Sequence, residues 1–240
     1  MYPALENVIK KIFNLFGLRV SRSWNTPVGD MDALLNDVKR RGLKVTRVLD
    51  IGAYKGWFSR QVLAVYPDAL LYLVEPQQEM EPYMLGFLQQ HKNARYFKMA
   101  AGAADAVKDF YIADDLACSG LMEVQSTDGK STAVTVKAID SLLHERQIDV
   151  PEIVKIDVQG YELEVLKGCQ ALFGKTELFI IETSLQKKND SFPLMGDVIA
   201  FMDRQGYLVY DFAGFLRHKS DGSLFECDIC FVKRNSFLRN

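Results

Sequence analysis

The stretch Thr46-Arg47-Val48-Leu49-Asp50-Ile51-Gly52-Ala53-Tyr54-Lys55-Gly56 decides the fold. Its first half is a short apolar, β-prone run that reads as a buried strand. Gly52 ends the run. Lacking a Cβ, it lets the chain turn sharply and lets a ligand approach the backbone. Gly56 stands where helical spacing begins, and that helix, from Phe58, is stopped by Pro67. Outward from here the chain alternates: a strand over 69–75 ended by Pro76, a helix over 77–90, a strand over 94–99. A fourth core strand spans 152–158, followed by Gly160 and a helix over 161–167 closed by Gly168. A fifth strand over 178–182, a helix over 197–205 and two final strands, 207–211 and 225–232, complete the pattern. Segments 108–112 and 133–137 offer two extra short strands, and 138–146 a helix. Strands alternating with helices predict an α/β fold, a mostly parallel seven-stranded sheet with helices on both faces.

At 240 residues the chain has room for one such domain, here 45–240, after an N-terminal helical arm, 1–44. In the arm, Leu5, Val8, Ile9, Ile12, Phe13, Leu15 and Phe16 recur at helical spacing around Lys10 and Lys11. Such a helix either caps the main domain or lies on a membrane surface through residues 5–18. With 48% hydrophobic and 25% charged residues, the chain is ordinary for a globular protein, which excludes disorder and low complexity. The formal charge is −2, so no basic field points to nucleic acid. Four cysteines do not make a disulfide framework, and a reducing, cytoplasmic setting is the simpler expectation. No apolar run reaches the ~18 residues that span a bilayer. Lys10 and Lys11 interrupt the N-terminal apolar stretch, so no secretory leader is expected.

In open α/β sheets, ligands bind beyond the carboxyl ends of the strands, so the residues there are the candidates. After the first strand, the pattern is D-x-G-x-x-x-G through Asp50, Gly52 and Gly56, with Ala53 in the turn. A dinucleotide fingerprint needs a glycine where this chain has Tyr54, so a pyrophosphate would be crowded. After the second strand stands Glu75, then Pro76; a carboxylate there accepts from both hydroxyls of a ribose. Turn and acid together describe a nucleoside without a pyrophosphate, which fits S-adenosylmethionine. Ala100 and Ala101 leave room for a flat adenine ring, or simply pack closely. Asp157, in Lys155-Ile156-Asp157-Val158-Gln159-Gly160-Tyr161-Glu162, offers a general base, a partner for the methionine amino group, a cation ligand or a plain helix cap. Glu182 ends the fifth strand as a second acid.

These segments, and the late run Asp221-Gly222 through Asp228-Ile229-Cys230-Phe231, resemble the FkbM-type methyltransferases over roughly residues 45–234. The resemblance implies a Rossmann-like, class I S-adenosylmethionine-dependent O-methyltransferase acting on hydroxyls of sugars, glycans or secondary metabolites. By position it implies that Asp50, Gly52, Gly56 and Glu75 are cofactor residues and that Asp157 belongs to the active site; Ala53, Pro76, Ala100, Ala101 and Asp157 are further candidates for cofactor contact. The chain departs from the family in having Gln159 where glutamate is usual, and Phe97 and Lys98 where an asparagine often precedes the small residues.

Methyl transfer to a hydroxyl is an in-line displacement, so the protein supplies position and a proton acceptor. Asp157, Glu182 and His218 are the candidates for that acceptor. A divalent metal on Asp157 and Glu182 is conceivable, but two acids alone predict none. The expected partner is a small-molecule or glycan acceptor. Two other readings stay open: a catalytically silent protein of the same fold acting in assembly, and a nicotinamide oxidoreductase. The Cys227-Asp228-Ile229-Cys230 spacing carries no redox or zinc reading, because strand residues three apart face opposite sides.

Overall fold

The computed structural model describes residues 8, 9, 12, 13, 15, 28–122, 130–187, 189 and 192–239. Of the N-terminal arm, Val8, Ile9, Ile12, Phe13 and Leu15 are helical. The side chains of Val8, Ile12, Phe13 and Leu15 are exposed. Leu5, Lys10, Lys11 and Phe16 lie outside the described residues.

Seven strands form the main sheet, in the order β3-β2-β1-β7-β8-β10-β9. They are β1 (Arg47–Ile51), β2 (Leu70–Val74), β3 (Ala94–Phe97), β7 (Ile153–Ile156), β8 (Leu178–Ser184), β9 (Tyr207–Arg217) and β10 (Leu224–Lys233). The first five run parallel, and β10 pairs antiparallel with both β8 and β9. From β1 the chain winds outward to β3, then returns to place β7 on the other side of β1. That reversal is the switch point where such sheets open a crevice. The predicted third strand is shorter than expected. Met99 N–H turns back to Phe97 C=O (2.9 Å), and Ala100–Ala101 becomes β4 of a small second sheet with β5 (Ala106–Tyr111) and β6 (Ser131–Lys137). The final hairpin is longer than expected, because pairing continues to Arg217 opposite Leu224.

Successive strand residues feed opposite faces of the sheet. Val48, Leu71, Ile153 and Ile180 pack on α1 (Met31–Arg40), α2 (Trp57–Val65) and α3 (Glu81–Gln90), where Leu34, Leu35, Val62 and Phe87 are buried. Leu49, Tyr72, Val154 and Ile181 pack on α4 (Ile139–His144), α5 (Glu162–Lys167) and α6 (Met195–Arg204). The helix α1 thus belongs to the domain's own core, its first turn capped by Asp30, which accepts from Ala33 N–H. Cys227 lies in one core and Cys230 in the other, as the strand geometry requires.

Register then lines up the chemistry. Ile51 is level with Val74 on one side and Ile156 on the other, and Ile156 is level with Ile181. The next residue of each chain, Gly52, Glu75, Asp157 and Glu182, emerges along one edge of the sheet. Asp228 joins the row because β10 pairs it with Glu182.

The opposite edge is fastened by Glu152. Its carboxylate accepts from the backbone N–H of Thr46 and Arg47 and from the Arg47 guanidinium (2.7–2.8 Å). Burial opposes the charge, but Arg47 and the backbone donors outweigh it and hold the carboxyl below its ordinary value. Glu152→Ala should therefore cost ~1–3 kcal/mol at pH 7 in urea unfolding. A depressed carboxyl contributes stability above its unfolded value, about 4.3, and loses it as pH falls further. The gap between variant and parent should accordingly close under acid.

Candidate active site

The turn after β1 is clasped to the end of β2. Gly52 and Ala53 N–H both donate to Val74 C=O, and Tyr54 N–H donates to the Glu75 carboxylate (2.8 Å). Gln77 N–H holds the other Glu75 oxygen (2.9 Å). Gly52 has φ +80°, and a Cβ there would fall 1.7 Å from Asp157 C=O. No other residue fits where β1 and β7 touch. Gly56 also has positive φ and starts α2, but it lies beside Phe87, outside the cavity wall.

A cavity of about 620 Å³ opens over this edge. Of the sequence candidates, Asp50, Gly52, Ala53, Glu75, Pro76, Ala100, Ala101, Asp157 and Glu182 all stand in its wall. His218 does not. Its Nε2 lies 3.1 Å from Gln186 Oε1 and its ring stacks on Phe225, which does line the cavity.

The wall is strongly acidic. Asp50 is buried, takes a 2.6 Å hydrogen bond from Ser59, and is pushed up to about 6 by its burial. Burial likewise pushes Glu75 up to about 7, against the two backbone donors that favour its charge. The one cation in the row is Lys155, nearly fully buried, with Nζ 2.9 Å from Asp228 and 3.3 Å from Asp157. Burial works against its charge, but the flanking carboxylates more than restore it and raise its value. The amide of Gln159, in the left-handed region at φ +54°, donates to Asp157 Oδ1 (3.2 Å) and to Glu182 Oε2 (2.6 Å).

These neighbours separate the two acids. Burial opposes ionisation of Asp157, but Lys155 and the hydrogen bonds around it hold it below its ordinary value. Burial and the adjacent Asp157 drive Glu182 well above its own. Of the two, Asp157 ionises the more readily, and Glu182 is the acid that holds its proton longer. The Asp157 side chain remains 34% exposed, open to the cavity. Sequence reasoning found the two acids as strand-end residues but missed Lys155, Gln159, Asp228 and Glu226, all of which line the cavity. Lys155 was signalled, since residues i and i+2 of a strand share a face.

The residues suit an adenosyl sulfonium. Glu75 has lone pairs left for ribose hydroxyls, and the acids complement a cationic cofactor. The same acids repel a dinucleotide's phosphates, which opposes the oxidoreductase reading. Among the described residues, no group of three or more His, Cys, Asp or Glu is placed to hold a metal. None of the described helices is long and apolar enough to cross a membrane.

Comparison with known proteins agrees. Residues 50–209, two thirds of the chain, match the methyltransferase FkbM domain. The chain belongs to that family. As an FkbM methyltransferase domain it takes its methyl group from S-adenosylmethionine. It is 37% identical over 67 residues to the hexuronic acid methyltransferase AglP of Haloferax volcanii, a match spanning 28% of this chain and 27% of that protein. The aligned part is thus about a quarter of the relative's length. The fold is shared with a protein assigned as an O-methyltransferase from Klebsiella pneumoniae (TM-score 0.52, 12% identity, 97% of this chain and 91% of that one). It is also shared with precorrin-6y C5,15-methyltransferase from Geobacter metallireducens (TM-score 0.50, 11% identity, 91% and 94%).

The raised acids of this FkbM domain set a pH dependence. Asp50 and Glu75, with Glu162 on α5 also pushed to about 7 by burial, hold protons that the unfolded chain releases near pH 4–4.5. Between those limits the folded state binds more protons, so its stability falls as pH rises. Thermal unfolding of the free protein should show lower stability at pH 7.5 than at pH 5.5. Added S-adenosylhomocysteine should stabilise more at pH 7.5, where Glu75 is ionised and accepts from the ribose.

Proposed function

We propose that this FkbM methyltransferase transfers the methyl group to a hydroxyl of a sugar, free or at the end of a glycan, with Asp157 taking the proton. The observation that carries the reading is the place of Asp157, open to the cavity, linked through Gln159 to Glu182 and level with the Gly52 turn. The AglP relative acts on a hexuronic acid, which agrees with a sugar acceptor.

When bound, S-adenosylmethionine supplies an electrophilic methyl group on a cationic sulfur. The protein does the rest. Glu75 and the small side chains of Ala53, Ala100 and Ala101 receive the adenosine portion. Gln159 fixes both acids by donating one amide hydrogen to each. Lys155 keeps Asp157 charged, so Asp157 is a weak base. A weak base suffices, because the attacking oxygen becomes strongly acidic only as its bond to carbon forms. The proton moves to Asp157 late, and Glu182 stabilises the resulting pair by hydrogen bonding. The acidic walls favour a hydroxyl-rich, phosphate-free acceptor, which supports a sugar over a nucleic acid. The 5–18 segment of the arm remains a candidate for peripheral membrane contact.

Asp157→Asn should lower methyl transfer by ~10²–10⁴-fold, while cofactor affinity measured by calorimetry changes only a few-fold. Glu75→Ala should do the reverse, weakening S-adenosylhomocysteine binding about 10–100-fold through a lost buried acceptor. If Asp157→Asn transfers methyl as the parent does, the proton-acceptor assignment fails. If both variants complement a deletion strain fully, the protein acts as a silent scaffold instead.

A further inference from the structure

Two large aromatic side chains at the cavity mouth are left partly outside the core. Trp57 begins α2 and is 63% exposed; Phe215, on β9, is 40% exposed, and both line the cavity. Exposed rings of this size forgo burial that the core would have supplied, and grouped at a cavity they mark a contact surface.

Neither ring is loose. Tyr54 meets Trp57 edge-on (5.4 Å between centroids, 74°), and Lys55 Nζ sits 5.9 Å from the indole centroid. Phe215 stacks on Phe212 (5.5 Å, 24°) and packs so tightly on Gly29 that a Cβ there would come within 2.4 Å of the ring. Each ring is braced from one side by its own element and keeps open surface on the other. Two such rings, from chain segments far apart in sequence, flank one cavity whose floor carries Asp157, Glu182, Glu226 and Asp228.

That combination has a chemical complement. A pyranose is amphipathic: its hydroxyls point outward around the ring, while its C–H bonds form an apolar face. Aromatic faces are electron-rich and attract polarised C–H hydrogens, and carboxylates accept from hydroxyls. We infer that Trp57 and Phe215 are the acceptor-recognition residues, holding the C–H face of a pyranose while its hydroxyl edge turns down to the acids. Because both rings stand at the mouth, the sugar they hold is a terminal residue, with the rest of any glycan extending into solvent.

The inference rests on the sugar-hydroxyl reading above, and the test separates the two. Methyl glycosides of a hexose and of a hexuronic acid serve as acceptors, with catechol as a flat-ring control, and cofactor affinity is measured alongside. The acceptor KM should rise about tenfold in Trp57→Ala and in Phe215→Ala. It should recover largely in Trp57→Phe, with S-adenosylhomocysteine affinity within about twofold throughout. Circular dichroism and thermal unfolding of each variant check that the fold is kept, and Trp57, 63% exposed, is the change least able to disturb it. An unchanged acceptor KM, with sugar methylation intact, overturns the stacking assignment alone. A loss of cofactor affinity that parallels the KM change reassigns the rings to the cofactor and also overturns it. Preference for catechol over both glycosides, or no transfer to either by cofactor-binding parent enzyme, removes the sugar reading and this inference together.

Discussion

The end of β1 touches the end of β7, and Gly52 is the residue that permits it. Its bare Cα lies against the Asp157 carbonyl, where any side chain would collide. That contact closes the switch point of the sheet and puts the β1 turn, which bonds Glu75, directly against the segment carrying Asp157 and Gln159. The Gly52 turn, Glu75 and Asp157 are therefore placed by one backbone approach, not by two independent loops. The parallel register carries the same level outward to Glu75 and Glu182.

A row of acids this dense demands compensation, since like charges in a buried setting cannot all ionise. The compensation is a single buried Lys155, held between Asp157 and Asp228. One cation among several carboxylates cannot serve them equally. It sits between Asp157 and Asp228, and Glu182 is driven well above its ordinary value. The glutamine at 159, where the family usually has a glutamate, supplies hydrogens to both acids and avoids adding a further negative charge.

Much of this was legible in the chain itself. Gly52, Pro76 and Gly160 punctuate apolar runs, so the strands, and with them Glu75, Asp157 and Glu182, followed from local pattern. What local pattern could not give was pairing. Asp228 reaches the site only because β10 runs back antiparallel against β8, and no spacing within its own segment shows that. His218 looked plausible as a loop histidine among charged residues, but pairing extends the hairpin to Arg217 and carries it beyond the cavity wall. Ala100 and Ala101 read as the tail of a strand, yet they belong to a second sheet, which is how they come to line the cavity. Trp57 is the instructive residue: from the sequence it fits a cofactor contact as well as core packing, and its solvent exposure sets it outside the core.

Tyr54 holds a further consequence. In phosphate-binding turns the free amides are what an anionic ligand seizes. Here the Tyr54 amide is already committed to Glu75, inside the protein. ATP and the oxidised nicotinamides share the adenosine moiety and crowd any cell, yet at this turn they would meet a spent donor and a carboxylate. The turn thus offers a phosphate no free amide at Tyr54, a discrimination built into the peptide backbone before any acceptor arrives.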